Sequence, residues 1–241
     1  MTDESVQRVF ITGVSSGIGL GLSRVFLAAG WHVYGVSRRV PDDLGCDYYH
    51  IACDLADFDE VPNCFEALFA GVNGLDLVIL NAGILGRFTD MRDATLDELE
   101  HIMNVNLWSN KVILDWLFAN LATIRQVVTM SSGAAVNGSR GWSGYAISKA
   151  ALNMLTTLYA RELPDTHFTA FAPGIIDTAM QDYIYDEVDT AAFPSVKALH
   201  TAKGTEAMPD IETGARLLYE ALPKLLQFDS GSFKDLRSVC D

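Results

Sequence analysis

The feature that most constrains this chain is a short strand-forming run that breaks into a cluster of glycines and then resumes as a helix. Arg8-Val-Phe-Ile-Thr12 is β-branched and aromatic and reads as a buried strand. Gly13-Val-Ser-Ser-Gly17-Ile-Gly19 follows. Residues 20–29 then carry apolar side chains at helical spacing and stop at Gly30, a residue suited to the position just past a helix end. His32-Val-Tyr-Gly-Val-Ser37 is the next strand. One helix between two strands makes a βαβ unit, and its strands are parallel. The chain is thereby committed to a parallel sheet with helices on its faces.

The rest of the sequence repeats the alternation. Strands are expected at residues 48–52, 75–80, 126–130 and 166–172, with a last short one at 231–235. Helices are expected at residues 61–70, at 95–121 and at 143–163, the last closed by Pro164, and again at 211–222. The 95–121 helix opens on the capping-box spacing Thr95-Leu-Asp-Glu98. Residues 177–209 show no regular pattern. The expectation is an α/β fold: a Rossmann-like, doubly wound three-layer sandwich with a central parallel sheet of about seven strands. Residues 1–241 would form one domain, with a small substrate-binding lobe at about 177–210.

Composition narrows the function classes. Of 241 residues 49% are hydrophobic, enough for a substantial core, and the formal charge of −14 argues against nucleic acid or an anionic membrane as partner. Cys46, Cys53, Cys64 and Cys240 show neither C-x-x-C spacing nor a grouping with His that would hold a metal, which fits reduced thiols in a cytoplasm. Met1-Thr-Asp-Glu-Ser5 is unlike a signal or transit peptide. No apolar run approaches the ~18 residues of a membrane span.

Four local patterns carry chemistry. Glycines at 13, 17 and 19 let the backbone turn tightly and approach a pyrophosphate, whose charge is favoured at a helix N-terminus. At the end of the second strand a carboxylate would bind the ribose diol of NAD, whereas Ser37-Arg38-Arg39 offers a hydroxyl and guanidinium groups suited to the 2′-phosphate of NADP. Tyr145 and Lys149 stand one helical turn apart on one face, so an ammonium is expected to lower the pKa of a neighbouring phenol. Ser131 and Ser132 end an apolar run about a dozen residues earlier.

With T-G-x-x-x-G-x-G at residues 12–19, Asn81-Ala-Gly83, Ser132 and Y-x-x-x-K at Tyr145 to Lys149, the sequence resembles the short-chain dehydrogenase/reductase family over residues 8–235. The resemblance implies that Tyr145 is the catalytic acid/base and that Lys149 lowers its pKa and hydrogen-bonds the nicotinamide ribose. Of the two serines, the family spacing selects Ser132 to hold the carbonyl oxygen. Asn106 matches the Asn that breaks its helix and holds a water in the proton relay. The implied cofactor, NADP(H), would contact Gly13, Ser15, Ser16, Gly17, Ile18 and Gly19 in the turn. Further contacts would come from Ser37, Arg38 and Arg39, from Asp54 and Leu55 beside the adenine, and from Asn81, Ala82 and Gly83 beside its ribose. Pro173, Gly174 and Ile176 would flank the nicotinamide, and Thr178 would reach its carboxamide. The chain departs from the family at Leu80, where an Asn is usual. It departs again at Ser16, where many NADP-preferring members carry a basic residue; the NADP expectation therefore rests on Arg38 and Arg39.

More narrowly, Ala172-Pro-Gly-Ile-Ile-Asp-Thr-Ala-Met-Gln181 and the tail Ser230-Gly-Ser-Phe-Lys-Asp235 resemble the sepiapterin reductase and benzil reductase branch. This implies an NADPH-dependent reductase of ketones or vicinal diketones. An NADP-dependent secondary-alcohol dehydrogenase working oxidatively, or a non-catalytic NADP(H)-sensing protein, are the alternatives. Ser132, Trp142, Tyr145, Met180 and Asp235 are the expected substrate contacts, Asp235 as an anchor for a pterin ring. Ile84, Leu85, Phe88, Tyr183, Tyr185 and Phe193 would favour an apolar or aromatic substrate if they line the cleft. The family also implies a homodimer or homotetramer built through two long helices, to which Leu107, Trp108, Leu114, Leu152 and Leu155 contribute either core or interface.

Overall fold

Short runs carrying β-branched, aromatic or other apolar residues become strands at Arg8–Thr12 (β1), His32–Ser37 (β2), Tyr48–Ala52 (β3), Gly74–Leu80 (β4), Thr123–Met130 (β5), His167–Ala172 (β6) and Ser232–Asp235 (β7). They form one all-parallel sheet in the order β3-β2-β1-β4-β5-β6-β7. The structure is a computed structural model and describes residues 6–41 and 44–239; the polar start at 1–5 and Cys240 lie outside them.

Side chains alternate across the sheet with a period of two. From β1, Val9 and Ile11 enter one core with Leu22 and Phe26 of α1 (Gly17–Ala28), and with Ala215 and Leu218 of a helix at Ile211–Ala221. Phe10 enters the other with Phe65 of α2 (Val61–Leu68) and with Leu114 and Leu117. The strand order reverses between β1 and β4. Helices leaving those two strands diverge to opposite faces and open a crevice beyond the strands' C-terminal ends.

The helix opened by the Thr95 capping box, continuous by its apolar pattern, is broken around Asn106 as the resemblance implies: α3 (Leu96–Met103), a π-helical turn at Asn104–Trp108, and α4 (Ser109–Asn120). Strand β5 starts at Thr123, ahead of its apolar stretch, because Thr123 and Ile124 pair with Gly74 and Leu75. Then come α5 (Ser143–Glu162) and, inside the unpatterned 177–209 segment, α6 (Ala179–Glu187) and α7 (Lys197–Ala202). The Ile211–Ala221 helix is α8, and a short α9 (Leu236–Val239) follows β7. Ile184, Val188 and Val196 of the 177–210 segment pack with Leu85, Phe88 and Tyr145 as a third apolar cluster over the crevice. Among the described residues no helix is long and apolar enough to cross a membrane.

Candidate active site

The glycine turn is tied to the sheet from both sides. Gly13 donates its N–H to Val36 O at 2.8 Å. Thr12 Oγ1 accepts the N–H groups of Asn81 and Ala82, each at 2.9 Å, while Asn81 Nδ2 donates to Thr12 O at 2.9 Å. The ends of β1 and β4 are therefore one hydrogen-bonded unit. Gly13 and Gly17 have φ of 75° and 57°, left-handed values that a side chain would strain. Ser16 caps α1 without a side-chain hydrogen bond, and its first turn holds no acidic residue. The leading N–H groups of the helix thus lack a side-chain acceptor where Ser15, Ser16, Gly17 and Ile18 line the cleft. A Cβ on Gly17 would stand 3.8 Å from Thr178 Cγ2, on the approach between turn and lobe. An uncapped helix start beside a gap kept clear of side chains fits a pyrophosphate.

On α5, Tyr145 and Lys149 are both buried, and the phenol tilts against the Trp142 ring with centroids 5.8 Å apart. The environment of Tyr145 acts opposite to the expected lowering of its pKa. Burial pushes the phenol above its usual range, and the contact with Ser132 opposes that only in part. Lys149 Nζ lies 5.7 Å from the phenol ring centroid and donates to Met130 O at 2.7 Å. Burial pulls this ammonium from 10.5 down to about 8. Desolvation disfavours the charged form of each partner, and this outweighs the attraction read from their spacing. The two serines separate: Ser131 Oγ turns away to Asn153 Oδ1 at 2.5 Å, whereas Ser132 Oγ accepts from Ala134 N at 3.1 Å and faces Tyr145.

Asn106 occupies the π turn with no exposed surface. Its Oδ1 accepts from Ile84 N at 2.8 Å, and its Nδ2 donates to Ile84 O and to Ser148 Oγ, both at 2.9 Å. Its side chain thereby fixes the backbone after β4 and ties it to α5. Gly83 lies in the narrow gap that results: a Cβ there would sit 3.3 Å from both Asn106 Oδ1 and Lys149 Nζ.

These elements border a cleft of about 950 Å³. Along its wall lie Ser37, Arg38, Arg39, Asp54, Leu55, Asn81, Ala82, Gly83, Pro173, Gly174, Ile176 and Thr178, with Ser132, Tyr145 and Lys149. Of the turn's three glycines, Gly13 and Gly17 are on that wall; Gly19 and Asn106, alone among the expected site residues, stand behind it. Gly19 serves packing, since a Cβ there would meet Gly13 O at 2.3 Å. Trp142, Met180 and Asp235 also line the cleft. The carboxylate of Asp235 is engaged, however. Arg237 grips it through Nε and Nη2, each at 2.7 Å, and holds it below the usual carboxylate range.

The expected aromatic lining is corrected in part. Ile84 is on the wall, but Leu85, Phe88, Tyr183, Tyr185 and Phe193 are not. Phe88 packs edge-on against both Trp142 and Phe193, Tyr183 Oη receives Phe88 N, and Tyr185 stacks on His200. Phe88, braced by Phe193, supports Trp142 from behind, whereas Tyr185 is exposed. In their place Ala134, Asn137, Gln181 and Leu199 line the cleft. No pattern in the sequence singles these out, because they lie on turns and on the short helices of the lobe.

Comparison with known proteins agrees with this geometry. The family model described as short chain dehydrogenase matches residues 7–189. Benzil reductase ((S)-benzoin forming) of Bacillus subtilis is 34% identical over 187 residues, covering 72% of this chain and 76% of the relative. A benzil reductase ((S)-benzoin forming) of Saccharomyces cerevisiae is 30% identical over 191 residues, covering 72% and 73%. The crystal structure of a short chain dehydrogenases/reductase from Saccharomyces cerevisiae superposes with a TM-score of 0.85 at 23% identity, covering 98% of each chain. With its Rossmann-like sheet, glycine turn and matched segment, the chain belongs to the short-chain dehydrogenase family and is an oxidoreductase of that family.

Proposed function

We propose that the protein is a cytoplasmic NADPH-dependent carbonyl reductase whose substrates are aromatic ketones and vicinal diketones. The observation that carries this is one continuous cleft with Ser37, Arg38 and Arg39 at one end and Ser132, Tyr145 and Lys149 beside Trp142 at the other. The two benzil reductases among its relatives support the substrate class. Asp235 is already paired with Arg237, so a pterin amino group would have to share its carboxylate with a guanidinium, which favours a diketone over a pterin.

The chain's own residues do the following. The first turn of α1 would hold the pyrophosphate of the cofactor, and Arg38 and Arg39 would receive its 2′-phosphate. When bound, the reduced nicotinamide supplies a hydride. Ser132 Oγ and the Tyr145 phenol donate hydrogen bonds to the substrate's carbonyl oxygen, where negative charge grows. Tyr145 transfers its proton to that oxygen, and the Lys149 ammonium favours the phenolate left behind. Trp142 and Met180 exclude water and set the substrate's plane. Purified protein is to be followed at the NADPH absorbance band with benzil, sepiapterin and a simple ketone, and again with NADH. Fastest turnover is expected with benzil and NADPH. Absence of NADPH oxidation across the panel would remove the proposal.

A further inference from the structure

The turn that carries Arg38 and Arg39 is held by a hydrogen-bonded chain outside the sheet ladder. Ser37 Oγ lies 2.7 Å from Arg39 O and 3.0 Å from His50 Nε2. A hydroxyl has one proton, and a carbonyl can only accept, so the Ser37 proton is on Arg39 O. The remaining contact then has a single direction: His50 Nε2 carries a hydrogen and donates to Ser37 Oγ. Burial lowers the His50 pKa and so favours the neutral ring. The ring itself is held by Tyr48, stacked with centroids 6.0 Å apart and planes at 24°. Tyr48 in turn fits over Gly35, where a Cβ would lie 2.7 Å from its Oη. His50 is not on the cleft wall, whereas Ser37, Arg38 and Arg39 are.

We propose that His50 is a positioning residue for cofactor selection: through Ser37 it fixes the Arg38–Arg39 turn in the shape that receives a 2′-phosphate. Donors in such a chain polarise one another, and the imidazole N–H keeps the Ser37 hydroxyl aimed at the backbone of the turn. Arg38 and Arg39 are exposed, so without this tie only their own backbone would organise them. The inference rests on the NADP reading of the same turn.

The test is calorimetric titration of the cofactor-free protein with adenosine 2′,5′-bisphosphate and with 5′-AMP, which lacks the 2′-phosphate. His50→Phe keeps a ring against Tyr48 and removes the donor; His50→Gln keeps an N–H donor; His50→Leu is a second donor-less variant should Phe fail to fold. Wild type should bind the bisphosphate more tightly. The donor-less variants should lose about fivefold of that affinity, the worth of one neutral hydrogen bond. Their affinity for 5′-AMP should hold, and His50→Gln should recover most of the loss. Unchanged bisphosphate affinity, equal losses for both ligands, or no recovery in His50→Gln would overturn the proposal while leaving the NADP reading intact. A wild type that does not distinguish the two ligands would defeat the NADP reading and this inference with it.

Discussion

Replacing Lys149 by Met should make the cofactor-free protein more stable at neutral pH while abolishing its turnover. Lys149 is 4% exposed, and burial lowers its pKa from 10.5 to about 8. At about 1.4 kcal/mol per pH unit, holding that ammonium in the fold costs about 3 kcal/mol when it is charged in both folded and unfolded chains. Met fills similar volume and carries no such cost. It leaves Met130 O without its donor, a loss of about 1–2 kcal/mol. The net expectation at pH 7 is a gain of about 1–2 kcal/mol. The sign follows from the folded pKa lying below the unfolded one. Below about pH 8 the penalty is full. From about 8 to 10.5 the unfolded chain binds more protons, so wild-type stability rises with pH. Above that range the wild type should be the more stable, since only the lost hydrogen bond remains. Urea unfolding at pH 7 and about pH 11, with linear extrapolation, measures both points. A variant less stable than wild type at pH 7, or a difference that does not change with pH, would refute the reasoning.

Other consequences are equally direct. Tyr145→Phe should retain the fold and lower kcat by about 10²–10⁴, the usual worth of a positioned proton donor, as read at the NADPH band. Gly83→Ala would place a methyl 3.3 Å from both Asn106 Oδ1 and Lys149 Nζ, and kcat should fall at least about tenfold as the pair is pushed apart; unchanged kcat would show that the gap yields freely. For reduction, kcat/KM should be level below about pH 8 and decline above it as the Lys149 ammonium is lost, whereas a flat profile to about pH 9.5 would exclude that role. Trp108, Met154 and Leu158 are 44%, 60% and 46% exposed on the two long helices, and light scattering should give a dimer or tetramer mass; a monomer would show that these side chains remain in water.

What could be read from the sequence was what depends on near neighbours along the chain. A four-residue step puts Tyr145 and Lys149 on one helical face whatever surrounds them. Strand, glycine turn and helix determine where a pyrophosphate sits, because the turn needs the positive φ of Gly13 and Gly17. The direction of the phenol's pKa shift is not legible in the sequence, because it follows from burial among side chains such as Leu85, Ala134 and Ile184 that folding brings into one cluster with Tyr145. Aromatic identity likewise did not say which way Tyr183 and Phe193 point; both are spent on Phe88. The long helix shows why periodicity alone falls short at a site. Ile102, Leu107, Ile113, Leu114 and Leu117 are all buried, so the apolar pattern runs through Asn104–Trp108 without a visible break. A wider π turn costs hydrogen-bond geometry, and such turns occur mostly where function needs them. Here the turn accommodates Asn106, which satisfies both backbone groups of Ile84 and reaches Ser148 on α5. Three elements distant in sequence meet in that one amide, so the irregularity in the helix is the cost of holding the wall beside Lys149 still.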